Sequence, residues 1–249
     1  MKYLITGCNS DIGKAITKTL QEKRCKALLV SRSPVEFSEP ADTTQLFRRI
    51  GEIDLTKQEH LEILSSEASS FFDEPFTVIH SVGDFWTHRP LDECGIDVAA
   101  RMMESHYLSL YGVVSATISI MRTLRGGRFI AFSCNSVSQN YPEMSPFTSA
   151  KAAVECLMKC VANEYSGEGI QANAVAMPTI LTSKVLQNKP QGDHPNYITA
   201  EELAQFVVNE MATASLYMNG NVIKIFRYSP SFYHQAYFER NPSGRSSTS

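Results

Sequence analysis

Short apolar runs alternate with helix-patterned stretches along almost the whole chain. The runs are 2–6 (KYLIT), 26–31 (KALLVS), 49–55 (RIGEIDL), 76–81 (FTVIHS), 128–133 (RFIAFS), 170–176 (IQANAVA) and 221–226. Between them lie helical patterns over 11–21, 57–72, Val98 to about Met121, Phe147 to about 164, and 199–213. In the fourth of these, Ala150, Val154, Leu157 and Val161 recur at one-turn spacing and make one apolar face. Thr199 and Glu202 form a capping-box start for the fifth. Strands that alternate with helices pair in parallel and carry helices on both faces. The expected fold is α/β: one domain, a doubly wound parallel sheet of about seven strands.

Length and charge narrow the function classes. A chain of 249 residues suits one such domain, and no internal boundary or repeat is visible. Twenty-three basic residues stand against 26 acidic ones, for a net charge of −3, so neither a nucleic acid nor an anionic membrane is an expected partner. The six cysteines (Cys8, Cys25, Cys94, Cys134, Cys156, Cys160) lack metal-ligand spacing and read as reduced thiols of a cytoplasmic protein. No apolar run is long enough to span a membrane, and no signal peptide is expected before a strand that starts at Lys2. The domain is expected to cover 1–228. Residues 229–249 read as a tail, aromatic and then polar (NPSGRSSTS), with a disordered end.

The chemistry-bearing residues gather where the apolar runs end. Ile5-Thr-Gly7-Cys-Asn9-Ser10-Asp11-Ile12-Gly13 lies between the first strand and the first helix. Such a glycine-bearing turn lets backbone amides approach a pyrophosphate, and Asp11 is a plausible N-cap. Ser31-Arg32 ends the second strand. An acidic residue there would suit free ribose hydroxyls, whereas an Arg suits a 2′-phosphate through a forked, charge-assisted contact. Phe129 to Lys151 (FIAFSCNSVSQNYPEMSPFTSAK) runs from a strand through a polar loop into a helix start, the place where open α/β sheets carry out chemistry.

These segments resemble the short-chain dehydrogenase/reductase family, over residues 2–226. The glycine turn resembles its TGxxxGxG at Thr6, Gly7 and Gly13, with Asp11 where Gly is usual. Asp54-Leu55 is similar to its adenine-contacting pair. Ser81-Val82-Gly83 stands where the family has Asn-Ala-Gly. Pro178, Ile180 and Thr182 match its Pro-Gly and I-x-T segment, with Pro178 in place of the Gly and Thr182 at the nicotinamide-holding Thr. The resemblance implies a Rossmann-type fold, NADP(H) as cofactor, a small-molecule substrate and a homodimer or homotetramer. Pairing is expected through the long helix and the Phe147 helix, on small residues that include Gly112, Ser115, Ala116, Ala152 and Ala153.

It also implies a reaction centre of Asn, Ser, Tyr and Lys. Here those positions read His106, Cys134, Phe147 and Lys151. Phe147 cannot donate a proton and Cys134 is a poor donor, so only the Lys is kept. Tyr141 in the intervening loop, or His106 if it titrates near neutral pH, are the candidate replacement acids. Three readings follow: an oxidoreductase with an atypical site acting on a small apolar or aromatic substrate; a non-redox isomerase, dehydratase or cyclase using His106 and Cys134; and a catalytically inactive NADP(H)-binding pseudoenzyme or subunit.

Overall fold

The computed structural model describes residues 1–37, 46–86, 88–191, 194, 197–214 and 217–227; the expected tail, 229–249, lies outside the described residues. The apolar runs form β1 (Lys2–Thr6), β2 (Lys26–Val30), β3 (Phe47–Ile50), β4 (Phe76–His80), β5 (Gly127–Cys134) and β6 (Ile170–Met177). Two short strands, β7 (Ile180–Leu181) and β8 (Ile198–Thr199), pair with each other, and β9 is Val222–Lys224. The other seven make one parallel sheet in the order β3-β2-β1-β4-β5-β6-β9. The expected Rossmann-type architecture is therefore present. Chain order reverses direction between β1 and β4, which opens a crevice at their carboxyl ends.

The helices are α1 (Asp11–Glu22), α2 (Gln58–Phe71), α3 (Ile96–Met103), α4 (Ser109–Thr123), α5 (Ser136–Gln139), α6 (Ser145–Tyr165), α7 (Ser183–Asn188) and α8 (Ala200–Phe206). Side chains alternate across each strand, so the sheet builds two cores. Leu4, Leu28, Val78, Phe129 and Ala172 pack on one face with Leu64, Leu110 and Val154 from α2, α4 and α6. Tyr3, Ile5, Leu29, Ile130 and Val175 pack on the other with Ile16, Leu20 and Leu203 from α1 and α8.

Several sequence expectations are corrected. The third strand ends at Ile50 rather than Leu55, because Glu52 takes a left-handed backbone (φ 60°) that turns the chain out of the sheet. The long helix starts two residues early and is not uniform: a π-helical turn, Glu104–Leu108, joins α3 to α4 and carries His106. β7 and α7 lie in a stretch where neither an apolar run nor a helical pattern stands. The capping box at Thr199 and Glu202 is present with both of its hydrogen bonds. Of the small residues expected to face another subunit, Gly112 and Ala116 are turned into the chain's own core. A Cβ on Gly112 would meet the Leu55 carbonyl oxygen at 2.1 Å. Ser115 and Ala152 remain on the surface and Ala153 is half-buried. Among the described residues no helix is long and apolar enough to cross a membrane, and no cluster of three metal-ligating side chains occurs.

Candidate active site

The glycine turn is tightly constrained. Gly7 adopts φ 72°, and a Cβ there would meet the Ser81 carbonyl oxygen at 2.9 Å. A Cβ on Gly13 would lie 2.3 Å from the Gly7 carbonyl oxygen, so β1 and α1 approach as closely as backbone allows. The expected N-cap is corrected: Ser10, not Asp11, caps α1, with its Oγ accepting from the Gly13 amide at 3.0 Å. The Asp11 carboxylate instead accepts from the Ser183 amide at 2.6 Å, across 172 residues of sequence. Asn9 ties the turn to the segment after β2, donating to Ser33 Oγ (2.9 Å) and the Pro34 carbonyl (2.8 Å) and accepting from the Glu36 amide. Ile12 packs against the α1 and α8 core. Helix geometry leaves the first-turn amides of Asp11 and Ile12 without an intrahelical acceptor.

Around the turn, Ser31 is buried and its Oγ accepts from the Ser33 amide, while Arg32 is exposed. Burial raises the Asp54 carboxyl, but hydrogen bonds from the Thr56 hydroxyl and amide, helped by Lys57 and Arg32, hold it below the ordinary carboxylate range. Leu55 is a core residue. Ser81 donates to the Thr6 carbonyl at 2.8 Å, and Val82 packs on the core. Gly83 lies against the His106 ring, where a Cβ would meet Cε1 at 2.3 Å. Pro178 is half-buried and Ile180 buried. Thr182 caps α7, its Oγ1 accepting from the Val185 amide at 3.3 Å.

Lys151, His106, Phe147 and Cys134 come together at the end of β5. Lys151 is 6% exposed; its Nζ donates to the Phe132 carbonyl at 2.9 Å and stands 5.6 Å from the centroid of the Phe147 ring. Burial pushes its amine down to about 8, and Cys134 acts weakly in the opposite direction. His106 is 3% exposed, meets Phe147 edge-on at 5.2 Å, and neither ring nitrogen has a hydrogen-bond partner among the described residues. Burial pushes its imidazole down to about 2. Lys151 and His80 push the same way, and the Asp84 backbone pulls weakly against them. The expectation that His106 titrates near neutral pH is thereby corrected: the ring stays neutral.

Further contacts join these segments. His80, at the end of β4, is buried between Thr6 Oγ1 (2.8 Å from Nδ1) and Ser109 Oγ (3.2 Å from Nε2). The single Ser109 hydroxyl proton goes to the Ser105 carbonyl, which assigns the remaining proton to His80 Nε2. Burial pushes this imidazole down to about 3. The Glu143 carbonyl accepts from both Trp86 Nε1 (2.8 Å) and the Arg89 amide (3.0 Å), joining the loop after β4 to the loop before α6. Beneath that junction Trp86, Val98, Met102, Met144 and Ala150 form an apolar cluster against which Phe147 packs. Tyr141 lies on the exposed side of this turn, 44% exposed, with its hydroxyl on Gln139 Oε1. The cluster spans residues 86 to 150, so no local periodicity announces it.

Comparison with known proteins agrees with the fold. The family model described as "Enoyl-(Acyl carrier protein) reductase" matches residues 7–225. A Dehydrogenase/reductase SDR family member 6 from Rattus norvegicus is 22% identical over 237 residues, spanning 89% of this chain and 94% of that one. The chain belongs to the short-chain dehydrogenase/reductase family. A tropinone reductase homolog from Arabidopsis thaliana is 23% identical over 237 residues, covering 90% of this chain and 73% of its own length. A solved structure of ElxO, a Tyr-to-Phe variant with NADPH bound, superposes with a TM-score of 0.78 at 19% identity, over 90% of this chain and 96% of that one.

Within this dehydrogenase/reductase scaffold, the groups around Lys151 are few. Phe147 brings no proton. Cys134 Sγ accepts from the Ser136 amide at 3.5 Å, and Ser136 Oγ accepts from the Thr148 hydroxyl. Ser133 donates to Glu155 at 2.6 Å. Among the described residues, Lys151 is the one buried lysine, arginine or carboxylate side chain.

Proposed function

We propose that the chain is an NADP(H)-dependent oxidoreductase interconverting a carbonyl and an alcohol on a small apolar or aromatic substrate, through a centre that has lost its hydroxyl donors. The observation that carries this reading is Lys151. Burying a cation costs several kcal/mol, and no carboxylate of the described residues compensates it. Packing alone gives no reason for an amine at the crevice end of β5.

The surrounding residues fit the cofactor. Gly7 and Gly13 keep side chains out of the turn, and the first-turn amides of α1 favour an anion. The Asp11 carboxylate, which would oppose a pyrophosphate, is already taken up by the Ser183 amide. Arg32 would take the 2′-phosphate and Asp54 the adenine end. Thr182 accepts at Oγ1 and keeps its own proton for a carboxamide oxygen. Lys151 would hold the nicotinamide ribose. When bound there, the cofactor supplies or accepts a hydride. Trp86, Met144 and Phe147 give the substrate an apolar wall. That ElxO holds NADPH with a Phe in place of a Tyr supports the same capacity here.

A second reading, a catalytically silent NADP(H)-binding protein, is favoured by the Trp86–Glu143 junction, which closes the substrate side over a filled apolar cluster. A non-redox acid–base role for His106 loses support, because a neutral imidazole is not a strong acid. Incubating the protein and NADPH with a panel of small aromatic and aliphatic aldehydes and ketones separates the two readings. Matched formation of alcohol and oxidised cofactor is expected; binding without turnover across the panel favours the second.

Arg32→Asp is expected to weaken NADPH binding by about tenfold or more, the loss of a forked charge-assisted contact, with little change for NADH. Equal affinity of the unmodified protein for the two cofactors contradicts the assignment.

A further inference from the structure

We propose that Lys151 itself delivers the proton to the substrate's carbonyl oxygen, taking over from the hydroxyl that Phe147 lacks. The inference rests on the oxidoreductase reading above and goes on to name its acid. The other groups of the cluster do not qualify. Phe147 has no ionisable proton, and His106 is neutral. Tyr141 is on the exposed side of the turn with its hydroxyl on Gln139. Lys151 Nζ has three protons, of which one is committed to the Phe132 carbonyl. The Phe147 ring borders the remainder at 5.6 Å.

Burial keeps this amine ready to release a proton, with Cys134 pulling weakly the other way. Cys134 comes from β5, His106 from the π-helical turn and His80 from β4; both imidazoles are uncharged at neutral pH. Glu155, one turn along α6, is hydrogen-bonded to Ser133. The amine's pKa of about 8 is close to the working pH, where a general acid is most effective. The step balances. The carbonyl carbon takes a hydride from a reduced nicotinamide, and the carbonyl oxygen takes a proton from Nζ. The products are an alcohol, an oxidised nicotinamide and a neutral amine, which regains its proton from water.

The test compares the unmodified protein with Lys151→Arg, whose guanidinium keeps the positive charge but does not give up a proton in this range. NADPH affinity is measured by nicotinamide fluorescence, reduction by single turnover, and the amine directly by NMR titration of 13C-labelled lysine in the NADP+-bound protein. Expected are a Lys151 titration near pH 8, a reduction rate that falls as that amine deprotonates, and, with NADPH kept saturating for each protein, a single-turnover loss of about 100-fold or more in Lys151→Arg. Turnover retained in Lys151→Arg overturns the proposal. If Arg does not fit the site, the unmodified protein decides: a Lys151 amine that keeps its proton past pH 10, or a rate independent of its titration, overturns it. NADPH binding without reduction of any carbonyl also overturns it while leaving the cofactor assignment standing, whereas absent NADPH binding removes the function reading itself.

Discussion

Lowering the pH from 7 to 4.5 should destabilise the folded chain by about 5 kcal/mol. The cause is the pair of buried imidazoles. In the unfolded chain each takes up a proton below about pH 6.5; in the folded chain His80 does so only near 3 and His106 near 2. Between those limits the unfolded state binds more protons, so stability falls as pH falls. Each group contributes about 1.4 kcal/mol per pH unit, and two units for two groups give the stated loss. Carboxylates held below their ordinary range, such as Asp54, add to it only at lower pH. A domain with 5–15 kcal/mol of stability is then close to acid unfolding. Denaturant melts at the two pH values measure the difference. His106→Leu removes one of the two buried imidazoles and should remove about half of the pH dependence. Equal stability at pH 7 and 4.5 would mean that these rings are protonated in the folded protein.

Phe147→Tyr should raise carbonyl reduction by about tenfold: it adds a second proton donor beside Lys151 rather than replacing an absent one, and so gains only part of the 10²–10⁴ that a positioned acid supplies. Residues 147 and 151 lie one turn apart on α6, and Nζ already stands beside the ring. A nearby cation lowers a tyrosine from its ordinary pKa of about 10. Phe147 is half-buried, so the new hydroxyl does not have to be sealed into the apolar cluster. NADPH affinity should be unchanged, and the rate should no longer follow the Lys151 titration alone. Unchanged or lower turnover with intact NADPH binding would show that Cys134 and His106 set the carbonyl out of reach of either donor.

The sheet was legible because fully buried parallel strands are continuous apolar runs, and six of the seven fall where those runs stand. The third differs because RIGEIDL carries apolar residues on both sides of Gly51 and Glu52, and only the left-handed turn at Glu52 ends the strand. Ser10 and Asp11 are equally good caps by residue type; the choice is made by a Ser183 amide 172 residues away. His106 looked like a neutral-pH titrator because an isolated imidazole is one, and its burial depends on packing from α6 and the Gly83 backbone. The junction of Trp86 with the Glu143 carbonyl involves a backbone acceptor, which no residue type marks.

Titrating NADPH and NADH separately into the full chain, and following nicotinamide fluorescence, tests the central claim that the crevice at the ends of β1, β4 and β5 holds a 2′-phosphorylated dinucleotide. Saturable binding of one NADPH per chain, at least about tenfold tighter than NADH, is the expected result. No saturable change with either nucleotide, or tighter binding of NADH, would contradict it.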